Sequence, residues 1–305
     1  MNGDRDFDRG LESLERTLGR LRRERRLAAE QGAWAALAGA LGDRHRRQSE
    51  RLWSWLRSGL EPRPSMMAEA AGDDAATARV LALRWVSPEL VVLRTSRPLR
   101  LSYAAGQHVK LQVGEVTRTY SLASAPHEPH LEFFIELHPG GAMSEVLRTL
   151  RPGRTVRVFS PGGDFRLSRS KRRHVMVATV TGIAPFVSLL RDALRAEAGG
   201  AAVFHVLHGA SYQDQFGYRD ELTALAARFP GRLFYLPAVS RAGEPRNAGW
   251  RGATGRVIDL VELYLRQHGL GAADTALYAC GHPDMVGGVR KRFRPLGFEL
   301  RVESY

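Results

Sequence analysis

The chain has 305 residues, 44% of them hydrophobic and 25% charged, which suits a globular protein large enough for two domains. Its single cysteine excludes an internal disulfide and a cysteine-ligated iron–sulfur cluster within these residues. The histidines show no metal-binding spacing, so we expect no metal site, and the net charge of +13 favours acidic partners.

The first 60 residues predict an extension of two or three amphipathic helices. Leucines recur at spacings of three and four, beginning with Leu11, Leu14, Leu18 and Leu21. Self-association, docking to a partner, attachment to a membrane surface and simple packing on the main body all fit this pattern. A nucleic-acid role is not expected, because the arginines alternate with acidic residues. No run reaches the roughly 18 apolar residues of a membrane span and no secretory signal is evident, so we expect a cytoplasmic protein without a transmembrane segment.

A Pro- and Gly-containing linker is predicted at 61–75, and from Thr77 the hydrophobic period becomes two. Six short strands separated by turn residues then predict an antiparallel barrel over 76–168. One strand ends in Arg118-Thr119-Tyr120-Ser121, and alternation places Arg118 and Tyr120 on one face. A guanidinium suits a phosphate and a phenol suits a flavin ring. Taken alone, these residues also fit an ordinary solvated strand face.

The barrel contains a single predicted helix, Ala142 to Leu150, introduced by Pro139-Gly140-Gly141. Free backbone N–H groups at a helix start, close approach at the glycines and the Ser144 hydroxyl together predict an anion site. A turn capped by glycines is the alternative. Beside Arg118, this second phosphate contact favours a pyrophosphate.

From His174 onward, strands alternate with helices, which predicts a parallel sheet covered on both faces over 169–305. The first strand, His174 to Val180, leads through Thr181-Gly182 into a helix ending near Ala198, the position at which α/β sheets bind dinucleotides. A plain strand-helix turn remains the alternative there.

Further polar residues follow later strands of this sheet. Ser240-Arg241 closes the third strand and Arg256 starts the next helix, so a ribose 2′-phosphate, and hence NADP, is the predicted ligand. Surface arginines in an Arg-rich chain are the alternative. Cys280 precedes a Gly-His-Pro turn that directs it toward the site, although a lone cysteine also fits the core.

Several of these motifs occur together in one order, and that order resembles the ferredoxin–NADP reductase family over residues 77–305. The motifs are Ala105-Gly106-Gln107, Arg118-x-Tyr120-Ser121, Gly140-Gly141-x-x-Ser144, Pro161-Gly162-Gly163-x-Phe165, Thr181 to Pro185, Ser240-Arg241, Cys280-Gly-x-Pro-x-Met285 and Val302-Glu303-x-Tyr305. The resemblance implies an α+β two-domain reductase, with an antiparallel barrel that binds FAD followed by an α/β nucleotide domain. The chain departs from the family at Val180, where glycine is usual, and at Ser211, where arginine is frequent.

The resemblance also implies residue roles. Tyr120 and Tyr305 would stack on opposite flavin faces, and Ser121, Cys280 and Glu303 would line the hydride path. The implied flavin-binding residues are Arg118, Thr119, Tyr120, Ser121, Ile135, Leu137, Gly141, Ala142, Met143 and Ser144; those for NADP are Thr181, Gly182, Ser240, Arg241 and Arg256, with Cys280 and Tyr305 beside both cofactors.

The expected activity is electron exchange through FAD between NADPH and an acidic ferredoxin or flavodoxin. A reductase serving an oxygenase, a ferric chelate or free flavin is the first alternative, and a redox module tethered to a partner by its N-terminal helices is the second.

Overall fold

The computed structural model describes residues 75–195 and 201–304. The predicted N-terminal helices, the predicted linker up to residue 74, and Tyr305 lie outside the described residues. None of the described helices is long and apolar enough to cross a membrane.

The first half of the described chain forms an antiparallel six-stranded sheet that curls into a nearly closed barrel, as the period of two predicts. Its strand order is β4-β3-β6-β1-β2-β5. The strands are β1 (Ala75–Ser87), β2 (Leu90–Ser96), β3 (His108–Val113), β4 (Val116–Ser121), β5 (His130–Glu136) and β6 (Thr155–Phe159).

The barrel closes between the residues that follow β4 and strand β5. The amide of Ala123 donates to the Glu132 carbonyl at 2.8 Å. The inward residues of the alternating strands, Leu93, Val109, Leu111 and Phe133 among them, fill one apolar core. The predicted helix, α1 (Ala142–Thr149), packs against β3 and β4 and so lies beside the Arg118 strand.

The second half is a parallel six-stranded sheet of order β10-β9-β8-β7-β11-β12. Continuous apolar strands and amphipathic helices produce this arrangement, since both faces of the sheet must be covered. Its elements are β7 (Arg173–Thr179), α2 (Ala184–Ala193), β8 (Val203–Ala210), α3 (Arg219–Arg228), β9 (Leu233–Val239), β10 (Ala253–Thr254), α4 (Val257–Gln267), β11 (Thr275–Gly281), α5 (Pro283–Phe293) and β12 (Glu299–Ser304).

Three element boundaries differ from the sequence-based expectation. Strand β1 begins at Ala75, inside the predicted linker. Its first residues pair with β6, but they are small and show no hydrophobic alternation from which a strand could be predicted. Strand β7 ends at Thr179, because Val180 adopts a positive φ of 44° and starts a 3₁₀ turn over Val180–Ile183. Helix α2 ends at Ala193, because Leu194 leaves the helical region with φ −95° and ψ 0°.

A buried charged network joins the barrel to the α/β domain. Arg191 on α2 donates to both Glu221 carboxylate oxygens at 2.6 and 2.8 Å, and to Glu132 Oε1 at 3.0 Å. Tyr218 donates to the same Glu132 oxygen at 3.0 Å. Burial alone would lower the pKa of Arg191, but its hydrogen bonds and carboxylate neighbours outweigh burial and raise it. The network therefore links strand β5 of the barrel, through Glu132, to helices α2 and α3 of the α/β domain.

Candidate active site at the domain junction

Strand β4 places its motif residues in the predicted alternation. Arg118 pairs with Leu111 and Tyr120 with Val109, so both share the inward side of β3, whereas Ser121 pairs with His108 on the other side. Because β4 is an edge strand, Arg118 remains exposed and Tyr120 is half-buried. Burial raises the pKa of Tyr120 to about 12, against the opposing charge of Arg118. Thr119 points outward and is exposed.

The start of α1 forms a tight cradle beside this strand. Gly141 is the N-terminal cap, and an added Cβ there would lie 3.1 Å from Ser144 Oγ and 3.2 Å from the His138 carbonyl oxygen. Ser144 Oγ accepts the His138 amide at 2.8 Å, so the hydroxyl closes the turn that precedes the helix. Ala142 is exposed at the first helical position, where the backbone N–H groups have no intrahelical partner. This geometry fits a phosphate group.

Three residues expected to bind flavin belong to the barrel core instead of presenting their side chains at its surface. Ile135, Leu137 and Met143 are all buried in the apolar cluster of the barrel. Alternation explains this, because Ile135 on β5 and Leu137 directly after the strand lie on the inward side, while Glu136 between them faces the cleft.

A second contact joins the two domains next to Ser121. His108 Nδ1 lies 2.9 Å from Glu303 Oε1 on β12, and the other Glu303 oxygen is buried with no hydrogen-bond partner among the described residues. Gly162 and Gly163 face the imidazole: a Cβ on Gly163 would lie 2.9 Å from two ring atoms. The two glycines thus leave the space that the His108 ring fills.

Cys280 lies opposite Glu303 in the ladder between β11 and β12, so it reaches the predicted end of the sheet. Its side chain is nevertheless fully buried in the core of the nucleotide domain. Burial, and secondarily the charge of Glu303, raises the pKa of the thiol well above its usual value. Cys280 is therefore a neutral thiol enclosed behind the junction.

A cleft of about 440 Å³ runs along the carboxyl edge of the parallel sheet, where α/β proteins bind dinucleotides. It is lined by Glu136, His138, Thr179, Val180, Gly209, Ala210, Ser211, Gln215, Ser240, Gly255, Arg256, Val257, Ile258, His282, Asp284 and Met285.

Two of the three predicted 2′-phosphate residues line this cleft. Ser240 follows β9 and Arg256 precedes α4, and both are exposed. Arg241 does not line it. Its Nη1 donates to Tyr212 Oη at 3.0 Å, lies 3.3 Å from a Glu244 carboxylate oxygen, and its guanidinium lies over the Tyr212 ring.

In the turn after β7, the residues that line the cleft are not the ones expected from the sequence. Thr179 and Val180 line the cleft, whereas Thr181 and Gly182 are buried in the 3₁₀ turn behind them. A Cβ on Gly182 would lie 2.1 Å from the Cys280 carbonyl oxygen, so the glycine permits close packing of two turns and is not required by a positive φ. Residue spacing alone does not distinguish these two uses of glycine.

Family models match both halves of this arrangement. An oxidoreductase FAD-binding domain matches residues 84–167, and an oxidoreductase NAD-binding domain matches residues 176–291. Over 242 residues the chain is 38% identical to ferredoxin–NADP reductase B of Sorangium cellulosum, covering 75% of this chain and 96% of that protein. The chain belongs to the ferredoxin–NADP reductase family.

Other proteins are similar to the chain over about the same region. The toluate 1,2-dioxygenase electron transfer component of Pseudomonas putida is 30% identical over 76% of this chain and 66% of its own length. The ferredoxin NADP⁺ reductase of Neisseria gonorrhoeae, solved with FAD and NADP, has the same fold, with a TM-score of 0.66 and 24% identity over 76% of this chain and 99% of that one. The resemblance predicted from the motifs is confirmed. This ferredoxin–NADP reductase family member is an oxidoreductase with an FAD-binding and an NAD-binding domain.

The sequence analysis did not single out His108, Glu136 or His208. His108 pairs with Glu303, Glu136 lines the cleft, and His208 contacts the carbonyl oxygen of Val180. A histidine directly after Gly106-Gln107, opposite the Ser of the Arg-x-Tyr-Ser motif, was the only sequence signal for His108.

Proposed function

We propose that this protein exchanges electrons between NADPH and a one-electron carrier through FAD. The observation that carries the proposal is the contact between His108 and Glu303, because it joins the Ser121 side of the flavin barrel to the carboxyl edge of the nucleotide sheet. Bound at this junction, FAD would take up a hydride from the nicotinamide and pass its electrons on singly. The residues of the chain would bind and orient the two cofactors.

The flavin half of the proposal is supported by Arg118 and the start of α1. We assign the pyrophosphate to the exposed Arg118 guanidinium and to the backbone N–H groups of Ala142 and Met143, in the cradle that Gly141 leaves open. Tyr120, with a protonated phenol, is assigned to one flavin face. Tyr305, outside the described residues, is assigned to the other face by the resemblance alone.

The nucleotide half is supported by Ser240 and Arg256. A guanidinium and a hydroxyl at the β9 end of the cleft suit a 2′-phosphate, which only NADPH carries. Arg241 would serve this phosphate only after leaving Tyr212 and Glu244.

The test is an anaerobic titration of the flavin-loaded protein with NADPH and, separately, with NADH. We expect NADPH to bleach the flavin band at a much lower concentration. Substituting Arg256→Ala should weaken NADPH about tenfold and leave NADH unchanged, as expected for one lost charge-assisted hydrogen bond. Arg251→Ala, at an exposed arginine that does not line the cleft, is the matched control. Equal bleaching by both nucleotides would remove the NADPH assignment.

We propose an acidic ferredoxin or flavodoxin as the one-electron partner. The net charge of +13 supports this choice, and the similar protein of Sorangium cellulosum is called a ferredoxin–NADP reductase. Reduction of an acidic ferredoxin should therefore slow steeply as the salt concentration rises. A rate insensitive to salt would contradict this choice of partner.

A reductase component of an oxygenase is the second candidate. It is favoured by similarity to the toluate 1,2-dioxygenase component and to the ferredoxin–NAD(P)⁺ reductase component of naphthalene 1,2-dioxygenase/salicylate 5-hydroxylase systems from Ralstonia, which is 32% identical over 67% of this chain. Rates with ferredoxin, flavodoxin, ferric chelate and free flavin would separate the candidates.

We propose that the predicted N-terminal helices, which lie outside the described residues, serve partner docking or self-association, on their sequence pattern alone. Deleting residues 1–70 should then weaken partner retention or change the oligomeric state while NADPH oxidation persists. Unchanged retention and oligomeric state would reject this role.

A further inference from the structure

Val180 has a backbone conformation that a β-branched residue rarely adopts. Its φ is +44°, and within residues 75–195 and 201–304 every other residue with positive φ is a glycine. In the left-handed region the Cβ crowds the following carbonyl, and a valine suffers most because its χ1 is also restricted. Such a conformation persists only when its surroundings impose it, and it is concentrated at functional sites.

The Val180 backbone contacts His208, on the neighbouring strand β8. His208 Nε2 lies 2.9 Å from the Val180 carbonyl oxygen. The imidazole is completely buried, with its edge against Phe216 at a centroid distance of 4.9 Å. The Val180 side chain packs on the apolar cluster that includes Phe216. The backbone of Val180 is therefore held by His208, and its side chain by the apolar cluster next to that histidine.

Chemistry determines which imidazole nitrogen carries the proton. Burial lowers the pKa of His208 to about 4, although the Val180 hydrogen bond raises it, so the ring is neutral at pH 7. A carbonyl can only accept, so Nε2 donates to Val180 and Nδ1 accepts from Tyr235 Oη, 3.2 Å away. Both ring nitrogens are satisfied, and neither is available to a ligand.

Val180 lies at the middle of the cleft and away from the 2′-phosphate end. In the sheet order, β7 is two strands from β9, which precedes Ser240, and adjacent to β11, whose end at Cys280 is placed on the hydride path by the resemblance alone. Two strand spacings are about 10 Å. With the 2′-phosphate assigned to Ser240 and Arg256, the Val180 turn would face the part of a dinucleotide that NADH and NADPH share.

We propose that His208 is a positioning residue: by holding Val180 in the left-handed conformation it shapes the wall of the cleft and sets the affinity for the shared part of both nucleotides. The inference rests on the proposed binding of the nucleotide along this cleft, but not on the preference for NADPH. Glycine adopts positive φ without strain. A Val180→Gly variant therefore should not need the histidine.

The test compares dissociation constants for NAD⁺ and NADP⁺, measured by calorimetry on the oxidised, flavin-loaded protein so that no turnover occurs. His208→Leu should weaken both nucleotides by the same factor, about tenfold, as expected for one lost hydrogen bond of ordinary strength. His208→Gln, whose amide can donate in place of Nε2, should recover most of the affinity. The double variant His208→Leu/Val180→Gly should also recover the affinity, because glycine adopts a positive φ without a hydrogen bond from the histidine.

His205→Leu is the matched control for a purely structural effect. His205 lies on the same strand, is buried, has a pKa lowered to about 4 mainly by burial, and contacts Tyr264 Oη at 3.0 Å, but it does not line the cleft. It should lower the melting temperature as His208→Leu does and leave both dissociation constants unchanged.

Equal loss of affinity for both nucleotides, restored by Val180→Gly, supports the proposal. Affinities within twofold of wild type in His208→Leu, or no recovery with Val180→Gly, overturn it. If wild type binds NADP⁺ no better than NAD⁺, the proposed NADPH preference fails while the His208 effect on NAD⁺ still decides this inference.

Discussion

Two of the contacts between the barrel and the α/β domain, the Arg191 network and the hydrogen bond between His108 and Glu303, differ in almost every physical respect. Arg191 is largely buried and binds carboxylates of both domains, with Glu132 almost completely enclosed. The contact between His108 and Glu303 is a single hydrogen bond between side chains that are 29% and 25% exposed. The comparison indicates a division of roles: the first contact links the two domains through buried charges, and the second lies where the chemistry is proposed to occur.

The largest expected effect is that of Arg191→Met. The substitution removes the more buried of the two guanidiniums that bind Glu132 and leaves Arg94, whose side chain is 46% exposed, as the remaining cationic partner. Removing one member of a buried pair costs about 3–5 kcal/mol. Urea unfolding should show this loss. Arg195→Met, two residues beyond the end of the same helix at an exposed position, should leave the stability within about 0.5 kcal/mol. A stable Arg191→Met variant would contradict the assigned role of the network.

Gly163→Ala tests the second contact with a smaller expected effect. Its φ of +87° disfavours alanine, and the new Cβ would lie 2.9 Å from the His108 ring, so His108 should be displaced from Glu303. Gly153→Ala is a matched control, since Gly153 has φ +88° and no neighbouring atom within 4 Å. Both variants should lose about 1 kcal/mol of unfolding free energy from the backbone. Only Gly163→Ala should also slow flavin reduction by NADPH in stopped-flow measurements; equal reduction rates would contradict a functional role for the contact.

Glu303→Gln should change catalysis with little change in stability. It removes the charge and keeps a hydrogen-bonding group beside His108. Flavin reduction should slow about tenfold, equivalent to about 1.4 kcal/mol in the barrier. The melting temperature should stay constant, because the contact is partly exposed. Glu262→Gln, in an exposed ion pair with Arg266, should alter neither quantity.

Acidification should produce the smallest of these effects. Burial alone would raise the pKa of Glu132, but the charges of Arg191 and Arg94 outweigh it and hold the pKa below its usual value. A carboxylate with a depressed folded pKa contributes stability that is present above its unfolded value, about 4.3, and is lost as the pH falls. The difference in unfolding free energy between wild type and Arg191→Met should therefore be largest at pH 8 and decrease toward pH 4. A gap that widens on acidification would show that Glu132 is not ionised.

Local pattern was enough to predict the architecture. The change from period two to strand-helix alternation near His174 predicted the barrel and the parallel sheet, because side-chain burial repeats directly along a strand or helix. The Arg118 motif predicted its own shared face for the same reason, and Ser240 and Arg256 were placed at the cleft by their positions after β9 and before α4.

Distant packing could not be predicted in this way. The burial of Ile135 and Leu137, the pairing of Arg241 with Tyr212, and the contact of His108 with Glu303, 195 positions apart in sequence, depend on how separate elements meet. Hydrophobic periodicity carries no information on contacts between elements that are distant in sequence. The same limit applies to Cys280, whose position at a strand end was predicted but whose enclosure was not.

The sequence by itself therefore determined the order of the two domains, the family, and the strand ends at which polar residues collect, because these follow from local periodicity and short motifs. Only the tertiary structure decided which of those residues face the cleft, which are already paired, and that a buried histidine contacts the carbonyl of Val180, whose φ is positive. The physical reason is that burial, hydrogen-bond partners and backbone strain are properties of atoms brought together from separate strands.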